Sequence, residues 1–328
     1  MTALLEAQDL VKSFGGTGRR RADRSPQVVK GVSISVAKGE ILGIVGETGA
    51  GKSTVGRMLI RLIEPDQGTV RFLGEDLASM DRHELRRFRA RARMIFQDPF
   101  SSLDPMMAIG NSVAESLLLH TDLSSEKRQE RVEDLLERVG LNARYYARHP
   151  HEFSGGQLQR VAVARAIATN PDLVVCDEPV AALDMSIRAQ VINLLLSLQS
   201  ELGMAYVFIS HDLSLVGHIA HRTAVMYRGA IVEQGQTEQV FKDPQHPYTR
   251  ELLNSVPLLD AQLRAARSSS RPESARVPAP PDEGTGCSYV GRCPLALPLC
   301  TQQVPQMRTS HGAEVACHLY PSNKTATS

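Results

Sequence analysis

Gly46-Glu47-Thr48-Gly49-Ala50-Gly51-Lys52-Ser53 has the spacing G-x-x-x-x-G-K-S, and Thr54 follows it. Small residues at this spacing let successive backbone N–H groups wrap an anion, while a lysine ammonium reaches the terminal phosphates and a serine hydroxyl can ligate Mg²⁺. The chemistry indicated is nucleotide binding; the plain alternative is a tight glycine turn. Further on, Leu173-Val174-Val175-Cys176 ends in Asp177 and Glu178. That is a layout in which one carboxylate holds Mg²⁺ through its water shell and the next polarises an attacking water. Ser154-Gly155-Gly156-Gln157 precedes the helix-forming stretch Leu158 to Thr169 and supplies a hydroxyl and an open helix N-terminus, both suited to a second anion. Taken alone it would be an ordinary capped helix start. Gln97 and His211 each follow a short strand-like run, Arg93 to Phe96 and Val207 to Ser210, and so stand at strand ends.

The elements that must position these groups are legible as runs and alternations. Ile41-Leu42-Gly43-Ile44-Val45 reads as a buried strand leading into the glycine-rich loop, and Thr54 to Ile63 as the helix leaving it, which brings about half a positive charge to the phosphates. Leu4 to Val11, Val28 to Val36, Glu40 to Val45 and Thr69 to Phe72 read as strands, with a Gly/Arg/Ser loop from Gly15 to Gln27. From about Asp81 to Asn170 the pattern turns helical, and Ser124 to Val139 carries apolar residues at helical spacing. Leu173 to Cys176, Ala205 to Ile209 and Thr223 to Tyr227 then return as strands around the helical stretch Ser186 to Leu202, which implies a mainly parallel sheet covered by helices. Ser268 to Gly286, rich in Ser, Pro, Arg and Glu, reads as a linker. No internal repeat is visible, so a single nucleotide-binding module is expected.

Composition narrows the function classes. The 328 residues can bury one large core or two modest ones. With 37 basic against 36 acidic residues, the chain has no electrostatic footprint for nucleic acid. The arginines of Arg19 to Arg24 and Arg82 to Arg93 read as solvated surface. Absence of Trp argues against aromatic-lined sugar or single-strand sites. No apolar run approaches the ~20 residues needed to cross a bilayer, and Met1 to Glu6 lacks the layout of a signal peptide, so an intracellular chain is expected.

These residues in this order resemble the ATP-hydrolysing subunits of ABC transporters. The phosphate loop spans Gly46 to Ser53, and Gln97 matches the glutamine loop. Phe153 to Gln157 matches the signature motif, and Asp177 with Glu178 closes the Walker B strand. Ala181-Ala182-Leu183-Asp184 matches the D-loop, and His211 the switch histidine. The resemblance implies an α/β P-loop NTPase fold: a RecA-like core with a mainly parallel sheet plus an antiparallel β part, an inserted helical subdomain over about 97–165, and a small Cys-rich C-terminal extension. The domains expected are 1–258 for the ATPase, 259–286 for a linker and 287–328 for the extension. Phe14 stands where the family places an aromatic on adenine; an ordinary core Phe is the alternative. The family's two-subunit arrangement implies that ATP and Mg²⁺ are held by Gly46, Glu47, Thr48, Gly49, Ala50, Gly51, Lys52, Ser53, Thr54 and Asp177, with Gln97 also near the metal. Ser154, Gly155, Gly156 and Gln157 would face a second subunit's ATP, and Glu178, His211 and Gln97 would be catalytic. Phe96-Gln97-Asp98-Pro99-Phe100-Ser101-Ser102-Leu103-Asp104-Pro105, Cys176 to Val180, His246 to Arg250 and Val256-Pro257 are similar to the ATPase subunits of oligopeptide and dipeptide importers. Departures are Asp104 for the usual Asn and Ala182 for a common Ser. The implied partners are a second ATPase subunit, more often a different chain than a copy, two membrane permease subunits and an extracytoplasmic substrate-binding protein. Nucleic acid is not among them. The implied location is the cytoplasmic face of the membrane, as a peripheral subunit. The alternative reading is a non-transport ATPase subunit of a soluble enzyme or repair complex.

Cys176 stands alone in an apolar run, whereas Cys287, Cys293, Cys300 and Cys317 fall together as C-x5-C-x6-C-x16-C. Clustered thiols in an intracellular chain point more often to metal than to disulfides. The resemblance implies a four-iron four-sulfur cluster on these four residues; zinc is the rival, and metal-free reduced thiols the third possibility. His311 and His318 are spare ligand candidates.

Overall fold

A computed structural model of the chain describes residues 3–15, 27–255 and 285–320. Residues 16–26 of the Gly/Arg/Ser loop, with Arg19 to Arg24, and Val256-Pro257 and nearly all of the expected linker lie outside the described residues. The chain forms two compact units, one comprising Met1–Gln8, Ile34–Ile41 and Ser53–Ile209, the other Asp9–Ser33, Leu42–Lys52 and Ser210–Ser328.

In the first unit the strands Ala92–Ile95, Leu173–Asp177 and Ala205–Ser210 run parallel, with Ile95 opposite Cys176 and Asp177 opposite Ile209. Every residue of Leu173–Asp177 and of Ala205–Ser210 is buried, as strands covered on both faces require. This is why their sequences read as unbroken apolar runs rather than alternations. Gln67–Phe72 pairs antiparallel with the short Glu75–Asp76. Between Ala92–Ile95 and Leu173–Asp177 lie the helices Pro99–Ser102, Ile109–His120, Ser125–Arg138 and Gly155–Ile167. Ser124 caps Ser125–Arg138 by accepting the Lys127 N–H, and Val132, Leu135 and Leu136 bury its apolar stripe. Helix Met185–Leu202 ends at Gly203 in the left-handed conformation, φ 62°.

In the second unit Ile41–Val45 runs parallel to Arg222–Tyr227, with Leu42 opposite Arg222 and Val45 opposite Val225. The sheet then continues antiparallel through Ala230–Gln236, Ala313–Val315 and Arg308–Ser310. The residues after the expected linker therefore add two short strands to this sheet. Glu233 is fully buried on Ala230–Gln236 and accepts the backbone N–H groups of Gln245 and His246 at 2.7 and 2.8 Å. Burial pushes its carboxyl up. His246, held neutral by burial with a pKa near 3, accepts the Tyr248 N–H on Nδ1 at 3.0 Å and caps helix Pro247–Asn254. The pair anchors that helix to the sheet, which matters because Tyr248 reaches the phosphate loop.

Candidate functional site

The glycine-rich loop lies directly after the strand Ile41–Val45, as its sequence predicts. Gly46 has φ 151°, and a Cβ there would stand 2.1 Å from the Met226 carbonyl oxygen, so the first loop position admits no side chain. Lys52, only 5% exposed, donates its ammonium to the carbonyl oxygens of Gly46 at 2.7 Å and Glu47 at 3.0 Å. The lysine is thereby laid across the loop with its charge at the loop's centre, where a phosphate oxygen would meet it. Ala50 donates its N–H to the Glu47 carbonyl at 3.2 Å, closing the turn, and its own carbonyl accepts the Gly229 N–H at 3.0 Å. Helix Lys52–Leu59 has no acidic residue in its first turn to compete with an anion for the exposed N–H groups.

In the other unit, Ser53 Oγ donates to Asp177 Oδ1 at 2.7 Å, and Asp177 is 2% exposed at the end of its strand. Two hard oxygen donors side by side form the kind of set Mg²⁺ takes, so the residues fit that ion. Glu178 follows in the left-handed region, φ 46°, a conformation that costs a residue with a Cβ about 1–3 kcal/mol. Its N–H donates to the Ile209 carbonyl at 3.0 Å and its own carbonyl accepts the Ala181 N–H at 3.2 Å. The backbone on both sides thus fixes the carboxylate at the turn leaving the strand. Gln97 is exposed two residues beyond Ala92–Ile95.

Ser154 caps helix Gly155–Ile167 reciprocally: Gln157 donates its N–H to Ser154 Oγ at 3.4 Å and accepts the Ser154 N–H on its side-chain oxygen at 3.0 Å. Gly156 serves packing, since a Cβ there would lie 2.5 Å from Ile187 Cγ2 of helix Met185–Leu202. Ser154 is exposed at the helix start. Asp104, where the family has Asn, accepts the Met106 N–H on Oδ1 at 2.9 Å, so the acid closes the same kind of turn. Ala182 is exposed. In the second unit His211 is exposed after Ala205–Ser210. Phe14 is 46% exposed, with the Lys12 ammonium 5.9 Å from its ring centre. It is not the ordinary core phenylalanine of the alternative reading.

The four clustered cysteines do not assemble as the expected four-thiolate centre. Among the described residues no three His, Cys, Asp or Glu side chains stand where they could hold one ion. The thiols are nevertheless near neighbours. Burial first, and then the neighbouring thiols, push the thiol pKa of Cys287, Cys293 and Cys317 up, to about 11 for Cys317. Cys300 Sγ instead accepts the Leu297 N–H at 3.4 Å. His318 is bonded through Nε2 to the Gln303 carbonyl at 2.9 Å, and His311 faces Asp243 at 3.6 Å, so neither spare histidine turns toward the thiols as a ligand. Cys176 is fully buried in its strand and its thiol is held protonated by burial.

Sequence reading missed two side chains at the phosphate loop. The Tyr248 hydroxyl accepts the Glu47 N–H at 3.0 Å, and Arg292 pairs with the Glu47 carboxylate at 2.9 Å. Only the recurring His246 to Arg250 segment could have signalled the first; nothing local signalled the second.

Known proteins place this geometry. The ABC transporter family model matches residues 29–181, and the model described as oligopeptide/dipeptide transporter, C-terminal region, matches 232–300. The dimeric post-hydrolysis structure of the ATP-binding cassette MJ0796 bound to ADP and Pi superposes with a TM-score of 0.64 at 27% identity, covering 71% of this chain and 98% of that one. The structure of cbiO1 from Clostridium perfringens, part of the cbiONQ complex, gives a TM-score of 0.64 at 25% identity, covering 74% and 92%. Fold and site together define an ATP-hydrolysing ABC cassette of the P-loop NTPase fold. Among whole-chain relatives, the oligopeptide transport ATP-binding protein AppF of Bacillus subtilis is 44% identical over 326 residues, 97% of each chain. The dipeptide transport ATP-binding protein DppF of Escherichia coli is 43% identical, covering 96% of this chain and 93% of its own. The chain belongs to the family of oligopeptide and dipeptide transport ATP-binding proteins. These relationships support the transport reading and not the soluble-complex alternative.

Proposed function

We propose that this chain is an ATPase subunit of a peptide importer, coupling ATP-driven closure of a subunit pair to uptake of dipeptides, oligopeptides or a related small solute. The observation that carries the reading is the joining of a phosphate loop to the oligopeptide/dipeptide C-terminal region over residues 232–300. Supporting it, the chain carries two helix starts whose residues suit an anion, at Lys52 and at Gly155, which is one more than a single ATP needs. The second becomes useful when it faces the ATP of another subunit.

In this mechanism Lys52, Thr54 and the loop amides bind the triphosphate, and Phe14 stacks on the base. Ser53 and Asp177, with Gln97, would hold Mg²⁺, which neutralises charge developing on the phosphates. Glu178 accepts a proton from the attacking water and His211 steadies the transferring phosphate. Ser154 and Gly156 present their helix start to the partner's γ-phosphate, and closure follows from that attraction. In the first unit Leu62, Phe96 and Leu119 line a cavity of about 280 Å³ together with Arg93, His120 and Arg165. Such an apolar hollow with a basic rim suits a short helix of a membrane permease subunit. Attachment would be peripheral, on the cytoplasmic face, through that contact; among the described residues no helix is long and apolar enough to cross a membrane. A different chain is the favoured ATPase partner, with a substrate-binding protein outside.

Detergent extraction of the tagged chain should bring down a second ATPase subunit and two multi-span membrane proteins. Cells lacking the chain should lose uptake of labelled di- and oligopeptides. Recovery with soluble enzymes alone, or unchanged uptake across a panel of peptides and metal chelates, would overturn the reading. The cysteine set is the remaining part of it: four neighbouring thiols that a bound iron–sulfur cluster or zinc would have to draw into one set, with no catalytic step passing through it. Iron, acid-labile sulfide and zinc content of protein purified without oxygen measures it. About one cluster or one zinc per chain is expected, and metal-free protein that keeps full stability rejects it.

A further inference from the structure

The cysteine-bearing segment carries side chains that grip the phosphate loop. Arg292, beside Cys293, donates through Nη1 to both Glu47 carboxylate oxygens at 2.9 and 3.2 Å and through Nη2 to Glu251 Oε1 at 2.5 Å. Tyr289 donates its hydroxyl to the other Glu251 oxygen. On the backbone side, Glu47 donates its N–H to the Tyr248 hydroxyl. Tyr248 and Tyr289 stand 5.6 Å apart, and both rings meet Tyr227, at 4.5 and 5.3 Å. Tyr227 ends the strand that pairs with the strand feeding the loop. Glu47 is therefore fixed by its amide and its carboxylate together. Its carbonyl is one of the two that hold the Lys52 ammonium. A continuous path runs from Arg292 through Glu47 to the loop lysine.

We infer that Arg292 is a positioning residue for ATP: it fixes Glu47, and through Glu47 the carbonyls that orient Lys52, so that ATP affinity and the order of segment 287–293 are linked. The inference rests on reading Gly46 to Ser53 as the phosphate loop. Linkage is reciprocal, so whatever factor the clamp adds to ATP binding, ATP must return to the segment as added protection. Arg292, Glu47 and Glu251 are each close to half-exposed, at 43%, 45% and 46% of their side-chain surface, so the effect is modest rather than absolute.

The test uses the full chain and a non-hydrolysable ATP analogue with Mg²⁺. Arg292→Gln should weaken analogue binding about two- to fivefold, the range expected of an exposed charge network. Arg292→Lys should recover part of the loss. Glu47→Gln, which leaves the cysteine segment unaltered, should match Arg292→Gln, and the double variant should bind no worse than either single one. In the unaltered chain the saturating analogue should slow amide exchange of segment 287–293 by about the same two- to fivefold, and Arg292→Gln should abolish that slowing. A purely structural role predicts otherwise: a lower melting point with unchanged affinity, additive losses in the double variant, or nucleotide-dependent protection that survives Arg292→Gln. Any of these overturns the proposal. Undiminished binding in Lys52→Ala would instead reject the loop assignment beneath it.

Discussion

Glu178→Gln lowers ATP turnover at this chain's own half-site by about two to four orders of magnitude while leaving ATP bound. The substitution preserves shape and both backbone bonds, the N–H to Ile209 and the carbonyl to Ala181, so the left-handed turn at φ 46° persists. What it removes is a carboxylate able to accept the proton of the attacking water. Binding should not suffer, because in the function proposed above Lys52, the loop amides, Ser53 and Asp177 hold the triphosphate and its Mg²⁺, and none of them is altered. Blocked hydrolysis with intact binding should trap the closed subunit pair. Turnover is measured with the matching change in the partner subunit, so that the second half-site does not mask the loss. Size-exclusion chromatography with ATP should show the accumulated pair. Undiminished turnover would remove Glu178 from the catalytic role.

How much of this could be read from residues alone follows from distance along the chain. The phosphate loop is contiguous, and its glycines and Lys52 meet one another within a few residues, so spacing alone carried its geometry. The acidic strand was legible because strands buried on both faces are apolar throughout, and Leu173 to Cys176 admits nothing else. Ala230–Gln236 was missed because Glu233, Gln234 and Gln236 break its apolar run. Its buried Glu233 is tolerated only because two backbone N–H groups 12 and 13 residues away satisfy it. Arg308–Ser310 and Ala313–Val315 are three residues each, too short to show an alternation, and exist because a sheet edge is there to receive them. Gly156 was legible as part of a motif, but its reason, the approach of Ile187, lies on another helix. The Arg292–Glu47 pair spans 245 residues and no local pattern announces it. The cysteine spacing suggested a closed metal set, whereas three-dimensional placement, not spacing, decides whether thiols share an ion. Local chemistry is thus written locally, and what supports it is distributed.

Lys52→Ala fails at the step before chemistry. The residue is 5% exposed, and its ammonium donates to two carbonyls of its own loop. A charged hydrogen bond of this kind is worth about 1.5–3 kcal/mol, so ATP affinity should fall about ten- to a hundredfold, and turnover at ordinary ATP concentrations with it. Removing the ammonium also unties Gly46 and Glu47, adding a loss of loop order to the loss of charge. Lys52→Arg should not restore function, because a planar guanidinium cannot replace a compact ammonium between carbonyls 2.7 and 3.0 Å away. Calorimetric ATP binding beside a thermal melt separates the effects: affinity should collapse while the fold, whose buried strands are packed by apolar side chains, melts within a few degrees of the unaltered chain. Affinity preserved in Lys52→Ala would mean that the loop binds something other than the triphosphate. Affinity lost here but kept in Glu178→Gln divides the site into a part that holds ATP and a part that cleaves it, each carried by a different segment of the chain.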